Sequence, residues 1–193
     1  MNELILTSSQ TVGPFFSPAL LREDARRHVL VQPETAGERI RIEGHVLDGD
    51  RLPVPDALVE IWQANARGRY HYPSDQGSAA LDQTFLGFGR SGTENEGHYW
   101  FETIKPGPVP FDLERWQAPH ICVTVFARGL LNHLVTRLYF ADEPANASDP
   151  VLLCVPEDRR HTLIAQRQQE GPVVVYRFDI ILQGEGETAF FNI

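Results

Sequence analysis

With 193 residues, 42% of them apolar, the chain is long enough for one globular domain with a full core and too short for two. A formal net charge of −9 with no block of Lys or Arg argues against nucleic acid or an anionic membrane as partner, and an anionic small molecule would need a local arginine. Two cysteines make no disulfide framework, no apolar run reaches membrane-spanning length, and the first residues carry no basic stretch, which together predict a cytoplasmic protein with free thiols.

The first helical signal is Ser17-Pro18 ahead of residues 19–27, a capping serine with proline at the first helical position. Residues 39–46 alternate cleanly, with Ile40, Ile42 and Val46 on one face and Arg39, Arg41, Glu43 and His45 on the other, as a strand with one side in a core requires. Asp48-Gly49-Asp50 is a turn signal, Pro53 and Pro55 interrupt pairing, and a strand resumes over 57–63. Residues 67–95 are polar, Gly/Ser-rich and without clear periodicity, which predicts a long loop of the kind that often carries function. Further strands are predicted over 98–104, 120–127, 133–140 and 173–182, the last β-branched and aromatic enough for a central place in a sheet. Residues 156–170, closed by Gly171-Pro172, predict a second helix. Six strands, many Gly/Pro turns and two peripheral helices define the expected fold class as all-β, an antiparallel β-sandwich with long loops, in a single domain over residues 1–193.

Chemistry is concentrated at His120 and Cys122, which alternation places on one face of a strand, so both could address one metal ion, with the tyrosines of Arg69-Tyr-His-Tyr72 as further donors. Taken alone, a strand histidine beside a cysteine is usually a satisfied core residue. No G-x-S-x-G elbow exists, and Cys122 lacks the helix N-terminus or positive surroundings that make a reactive thiolate. Gly87-Phe-Gly89 and Gly184-Glu-Gly-Glu187 lack the strand-to-helix context of a phosphate loop.

Residues 47–70, Leu-Asp-Gly-Asp-Arg-Leu-Pro-Val-Pro-Asp-Ala-Leu-Val-Glu-Ile-Trp-Gln-Ala-Asn-Ala-Arg-Gly-Arg-Tyr, resemble the signature of the intradiol ring-cleavage dioxygenases. Gly97-His-Tyr-Trp-Phe-Glu-Thr-Ile-Lys-Pro-Gly107, Pro119-His-Ile, Thr136-Arg-Leu-Tyr-Phe140, Tyr176-Arg-Phe-Asp-Ile180 and Ser9-Gln-Thr-Val-Gly-Pro-Phe-Phe16 extend the resemblance over nearly the whole chain. The last of these points to members that act on protocatechuate. The resemblance implies a site in which two tyrosine phenolates and two histidines hold Fe(III), a hard ion suited to anionic oxygen. Tyr70 takes the first tyrosine position and His120 the first histidine position. Val109 stands at the second tyrosine position and Cys122 at the second histidine position. A basic residue is expected at Gln117, and a glutamine at Arg137.

Valine offers no lone pair and a thiolate is soft, so the resemblance implies no iron, and no catalytic residue, in this chain alone. Tyr70, His120 and Cys122 also fall short of a closed tetrahedral zinc site. A retained fold with a degenerate site resembles members built from two homologous chains, a non-iron α subunit and a β subunit that carries the Tyr/Tyr/His/His iron site at their boundary. For this chain that implies a β partner, with protocatechuate and O2 converted to 3-carboxy-cis,cis-muconate. Thr11, Gly13, Pro14 and Arg128 would line the partner's pocket, arginine meeting the substrate carboxylate, and residues 1–37 would form an N-terminal arm and short helix packed on the partner. Trp62, Trp100 and Trp116 read as core or interface anchors. A non-catalytic β-sandwich carrier or interaction domain, and binding of another metal by Tyr70, His120 and Cys122, stay open as alternatives.

Overall fold

The computed structural model describes residues 11–13, 16–23, 25–72 and 82–192. The elements are helix α1 (Phe16–Leu20) and strands β1 (Arg39–Leu47), β2 (Leu58–Gln63), β3 (Phe88–Gly92), β4 (His98–Ile104), β5 (Val109–Pro110), β6 (Trp116–Gln117), β7 (His120–Phe126), β8 (Leu134–Phe140), β9 (Ile164–Glu170), β10 (Val173–Arg177) and β11 (Ile180–Ile181). Three 3₁₀ segments, Pro144–Ser148, Leu152–Cys154 and Glu157–Leu163, lie between β8 and β9. Strands β3, β2, β7 and β8 form one face of the molecule; β4, β1 and the successive β10 and β11 form the other, with β9 passing between the two. Pairing is mixed: β1 runs parallel to β10 and β11, and β8 runs parallel to the start of β9, so the expected all-antiparallel arrangement is corrected to a large mixed sheet that curls almost into a barrel.

The inward-facing residues of the alternating strands fill one core: Ile40, Ile42 and Val46 from β1, Val59 and Ile61 from β2, Tyr99 and Phe101 from β4, and Ile121, Val123 and Val125 from β7. A smaller cluster of Ala118, Tyr139, Leu152, Val155, Leu163 and Ala189 packs on the other side of β8, where the 3₁₀ segments cover it. The open side of the barrel, between β3 and β4, is closed by the chain's own N-terminal segment. Arg27 exchanges two backbone hydrogen bonds with Arg90, while Glu102 donates to His28 and accepts from Leu30. Both ends of the sheet are thereby occupied, and Leu30 is buried in the core.

Four sequence expectations are corrected here. Strand β3 falls inside the stretch read as loop, because its inward positions are Gly89 and Ser91, which carry no apolar side chain to reveal an alternation. A Cβ at Gly89 would lie 2.9 Å from both Ile61 Cγ1 and Leu30 Cδ1, so the core at that point leaves room only for glycine. The second helix is a 3₁₀ segment followed by strand β9, since Gly171-Pro172 is not a helix stop but the two-residue turn of the β9–β10 hairpin. Pairing with β10 overrides the helix propensity of Gln166 to Glu170. The strand expected over 173–182 breaks at Phe178 and Asp179 into β10 and β11. The first helix covers only Phe16–Leu20, with Pro18 inside it, and gives way to the edge-closing segment.

A Gly89→Val substitution would force new methyl groups against Ile61, Leu30 and Phe101, and a stability loss of about 3 kcal/mol is expected in urea unfolding; an unchanged midpoint would contradict this packing.

Candidate functional site

The outer face of β7 and β8 carries the predicted site. Antiparallel register sets His120 opposite Tyr139 and Cys122 opposite Arg137, while Trp62 of β2 flanks Cys122 on the other side. Tyr70 arrives from the loop after β2 and stacks on Trp62, ring centroids 5.8 Å apart and 14° from parallel. That loop is shaped by Asn65, whose side-chain oxygen accepts from the backbone N–H of Arg67 and Arg69 at 2.9 and 3.1 Å. Gly68 lets it press against the 105–109 segment: a Cβ there would lie 1.8 Å from the Pro108 carbonyl oxygen. Val109 follows immediately and pairs with Gln117 across the short β5–β6 ladder. Tyr70, His120 and Cys122 therefore gather on the outer face of β7, and Val109 lies on the separate β5–β6 ladder, joined to the Tyr70 loop through the Gly68–Pro108 contact.

Hydrogen bonds connect the group. His120 is fully buried, and its Nδ1–H donates to the Ala118 carbonyl at 2.7 Å, leaving Nε2 to accept from the Tyr70 hydroxyl at 3.3 Å. Ala118 is fixed in turn by Asp149, a carboxylate with no solvent exposure whose Oδ2 accepts the Ala118 N–H at 2.7 Å. The other Asp149 oxygen accepts from the Tyr139 hydroxyl at 3.0 Å and from the backbone N–H groups of Val151 and Leu152 at 2.9 and 2.6 Å. Arg137 donates to the Gln117 side-chain oxygen at 2.7 Å and lies 3.5 Å from the Tyr139 hydroxyl. The basic and amide residues that the resemblance leads one to expect at 117 and 137 are thus both present, with their places exchanged, and bonded to each other.

The electrostatics favour neutral donors. Burial, reinforced by the Arg137 charge, holds the His120 pKa down at about 4. Burial pushes the Tyr70 phenol far above its ordinary range, with Cys122 adding to the shift and Arg137 opposing it. The Cys122 thiol is also raised by burial, against the pull of Arg137. Val109 contributes no donor atom and Cys122 a soft one, while the phenol and imidazole are bonded to each other. This donor set does not fit a ferric ion, and among the described residues no group of three or more His, Cys, Asp or Glu could hold a metal ion.

The expected pocket residues lie elsewhere. Thr11 accepts the Gly129 N–H at 3.0 Å through its hydroxyl, so the N-terminal arm meets the turn that carries Arg128. This turn sits at the far end of β7, about 25 Å from His120 at 3.3 Å per residue. Thr11 and Gly13 are exposed and the Arg128 side chain is 62% exposed. Pro14 falls outside the described residues. Of the tryptophans, Trp62 is a wall of the degenerate site, Trp100 lies beneath Arg41 at 4.5 Å, and Trp116 is largely exposed. Asp149 was missed by sequence reasoning, although Asp149-Pro150 followed by Val151 and Leu152 is an aspartate-capped turn that could have flagged it.

A mostly β fold and a family profile described as Dioxygenase, which matches residues 11–184, define the class: the chain belongs to the intradiol ring-cleavage dioxygenase family. It is similar over the full length of both chains to the protocatechuate 3,4-dioxygenase alpha chain of Burkholderia cepacia, at 43% identity, and at 42% to that of Pseudomonas putida, covering 96% of each chain. The beta chain of the Burkholderia cepacia enzyme is 41% identical over 87% of this chain and 74% of its own. Among solved structures, the dioxygenase domain of a carbohydrate-binding fusion from Streptomyces sp. SirexAA-E superposes with a TM-score of 0.63 at 28% identity, covering 94% of this chain and 97% of that one. The chain is thus an oxidoreductase subunit.

The depressed His120 pKa has a direct consequence for stability. Above about pH 6.5 the imidazole is neutral in both folded and unfolded chains; as pH falls toward 4 only the unfolded chain takes up the proton, so the folded state loses up to about 3 kcal/mol. Urea unfolding between pH 7 and 4 is expected to show this loss, and a His120→Asn variant to lack that component.

Proposed function

We propose that this chain is the non-iron, α-type subunit of a protocatechuate 3,4-dioxygenase, working with a homologous β subunit that holds Fe(III) through two tyrosines and two histidines. With O2, the assembly would open protocatechuate between its two hydroxylated carbons to 3-carboxy-cis,cis-muconate. The observation that carries this reading is the replacement of two of four ligand positions, by Val109 and Cys122, in a chain that matches alpha-chain relatives from end to end. The carrier-domain alternative has no comparable support. No helix among the described residues is long and apolar enough to cross a membrane, and the reading makes the protein cytoplasmic.

In this reading the role of the chain is to finish the partner's pocket. Thr11, Gly13 and Pro14 supply a compact backbone approach, and Arg128 supplies the cation for the benzoate carboxylate, which a protein of net charge −9 otherwise repels. The exposure of Thr11, Gly13 and Arg128, at the far end of β7 from His120, suits residues that complete a site on another chain. The arm ahead of Arg27 would reach across to the partner, while Arg27 to Leu30 stays bound to its own sheet.

Two outcomes test it. The chain purified alone is expected to carry no iron and no tyrosinate-to-iron colour, and coexpression with the β chain to yield coloured, active enzyme; stoichiometric iron and turnover from this chain alone would overturn the reading. In the assembled enzyme, Arg128→Ala is expected to raise KM for protocatechuate by roughly tenfold or more while affecting plain catechol far less. Equal losses for both substrates would show that Arg128 does not meet the carboxylate.

A further inference from the structure

The turn that carries Arg128 is held from a second side by a residue to which nothing above gives a role. Nε of Arg128 lies 2.8 Å from Oδ2 of Asp56, at the end of the Pro53-Val-Pro-Asp56 connection into β2. Asp56 adopts φ 57, the left-handed region that non-glycine residues rarely enter. Its second carboxylate oxygen, Oδ1, is buried without a hydrogen-bond partner among the described residues. Both features are unfavourable, and both are imposed by a rigid turn. The buried Thr93 hydroxyl accepts the Ala57 N–H at 2.8 Å and donates to the Val54 carbonyl at 2.8 Å, bracketing Asp56 on either side. The resolved return for this strain is the contact with Arg128.

We propose that Asp56 is a positioning residue for Arg128, a specificity device of the pocket that this chain completes. Asp56 meets the guanidinium at Nε, 2.8 Å from Oδ2, and the Nη end is the fork that would meet a second carboxylate. Thr11 fixes the following peptide through the Gly129 N–H, so side chain and backbone of the arginine turn are each tied to a different segment. A long, flexible arginine held before substrate arrives loses less freedom on binding, and the advantage falls only on substrates bearing the anion. The inference rests on the reading of Arg128 as the carboxylate contact.

The test uses the assembled enzyme with Asp56→Gly, Asp56→Asn and Arg128→Ala, measuring kcat and KM for protocatechuate and for catechol. Glycine accepts the left-handed backbone and removes the tether; asparagine tolerates the same backbone and keeps an acceptor for Nε–H. Asp56→Gly is expected to raise KM for protocatechuate about fivefold with kcat changed less than about twofold and with no matching rise for catechol. Asp56→Asn is expected to retain most of the wild-type preference, and Asp56→Gly added to Arg128→Ala to change nothing further. If Arg128→Ala abolishes the preference for the carboxylated substrate but Asp56→Gly leaves it intact, or weakens both substrates alike, the role of Asp56 is overturned while that of Arg128 stands. If Arg128→Ala itself weakens both alike, the reading of Arg128 falls, and this inference with it.

Discussion

The carboxamide of Gln63 is the joint on which the two sides of the molecule meet. It is fully buried at the end of β2, donates to the Ile104 carbonyl of β4 at 2.9 Å and accepts from the Thr103 hydroxyl at 2.7 Å. Both polar ends are therefore satisfied inside the core, where an unpaired amide would cost about 1–3 kcal/mol. Because β2 and β4 belong to opposite faces, this pairing sets the distance between the loops that leave them, one carrying Tyr70 and the other Val109. The Gly107 N–H bond to the Asn65 carbonyl, at 3.0 Å, continues the same stitch one step outward. Tyr70 and Val109 are thus held in relation to each other by an interaction that involves neither.

This explains how the degenerate site keeps a definite shape. In a ferric site, ligand bonds would orient tyrosine and histidine; here the run from Asp149 through Ala118 and His120 to Tyr70 does so with hydrogen bonds. Each buried polar atom of the run is paired, and the neutral forms that burial favours are those the bonds require, a phenol that donates and an imidazole that donates at one nitrogen and accepts at the other. Arg137 brings a positive charge that would oppose a cation, and its bond to Gln117 ties β8 to the β5–β6 ladder. The surface is a packed, self-satisfied piece of structure, and the proposed reading puts the chain's part in catalysis at the other end of β7.

Much of this was legible in the sequence, for reasons that differ by element. Strand β4 was expected over the residues it occupies, and β1 to within one residue, because each has one face in the core and so alternates. Strand β9 was hidden because five of its seven residues are exposed and polar, leaving pairing with β10, and with β8 at its start, to define it. Parallel pairing between β1 and β10 is invisible to local pattern, since nothing in either segment encodes direction. Alternation brings His120 and Cys122 forward as a pair, while their assignment to ligand positions, with Tyr70 and Val109, comes from the resemblance. Asp149 and Asp56 escaped because their significance lies in what they touch: a backbone N–H thirty-one residues away in the first case, and an arginine at the end of a strand in the second.

The segment from Arg27 to Leu30 has a consequence for how chains recognise one another. By occupying the free edges of both β3 and β4 it removes the main-chain surface on which any passing strand could grow, a surface blind to side-chain identity. Association at these edges is left to side chains and loops, which can diverge between two related sequences without disturbing the fold. On the proposed reading, an α and a β chain of one family can in this way come to prefer each other over copies of themselves.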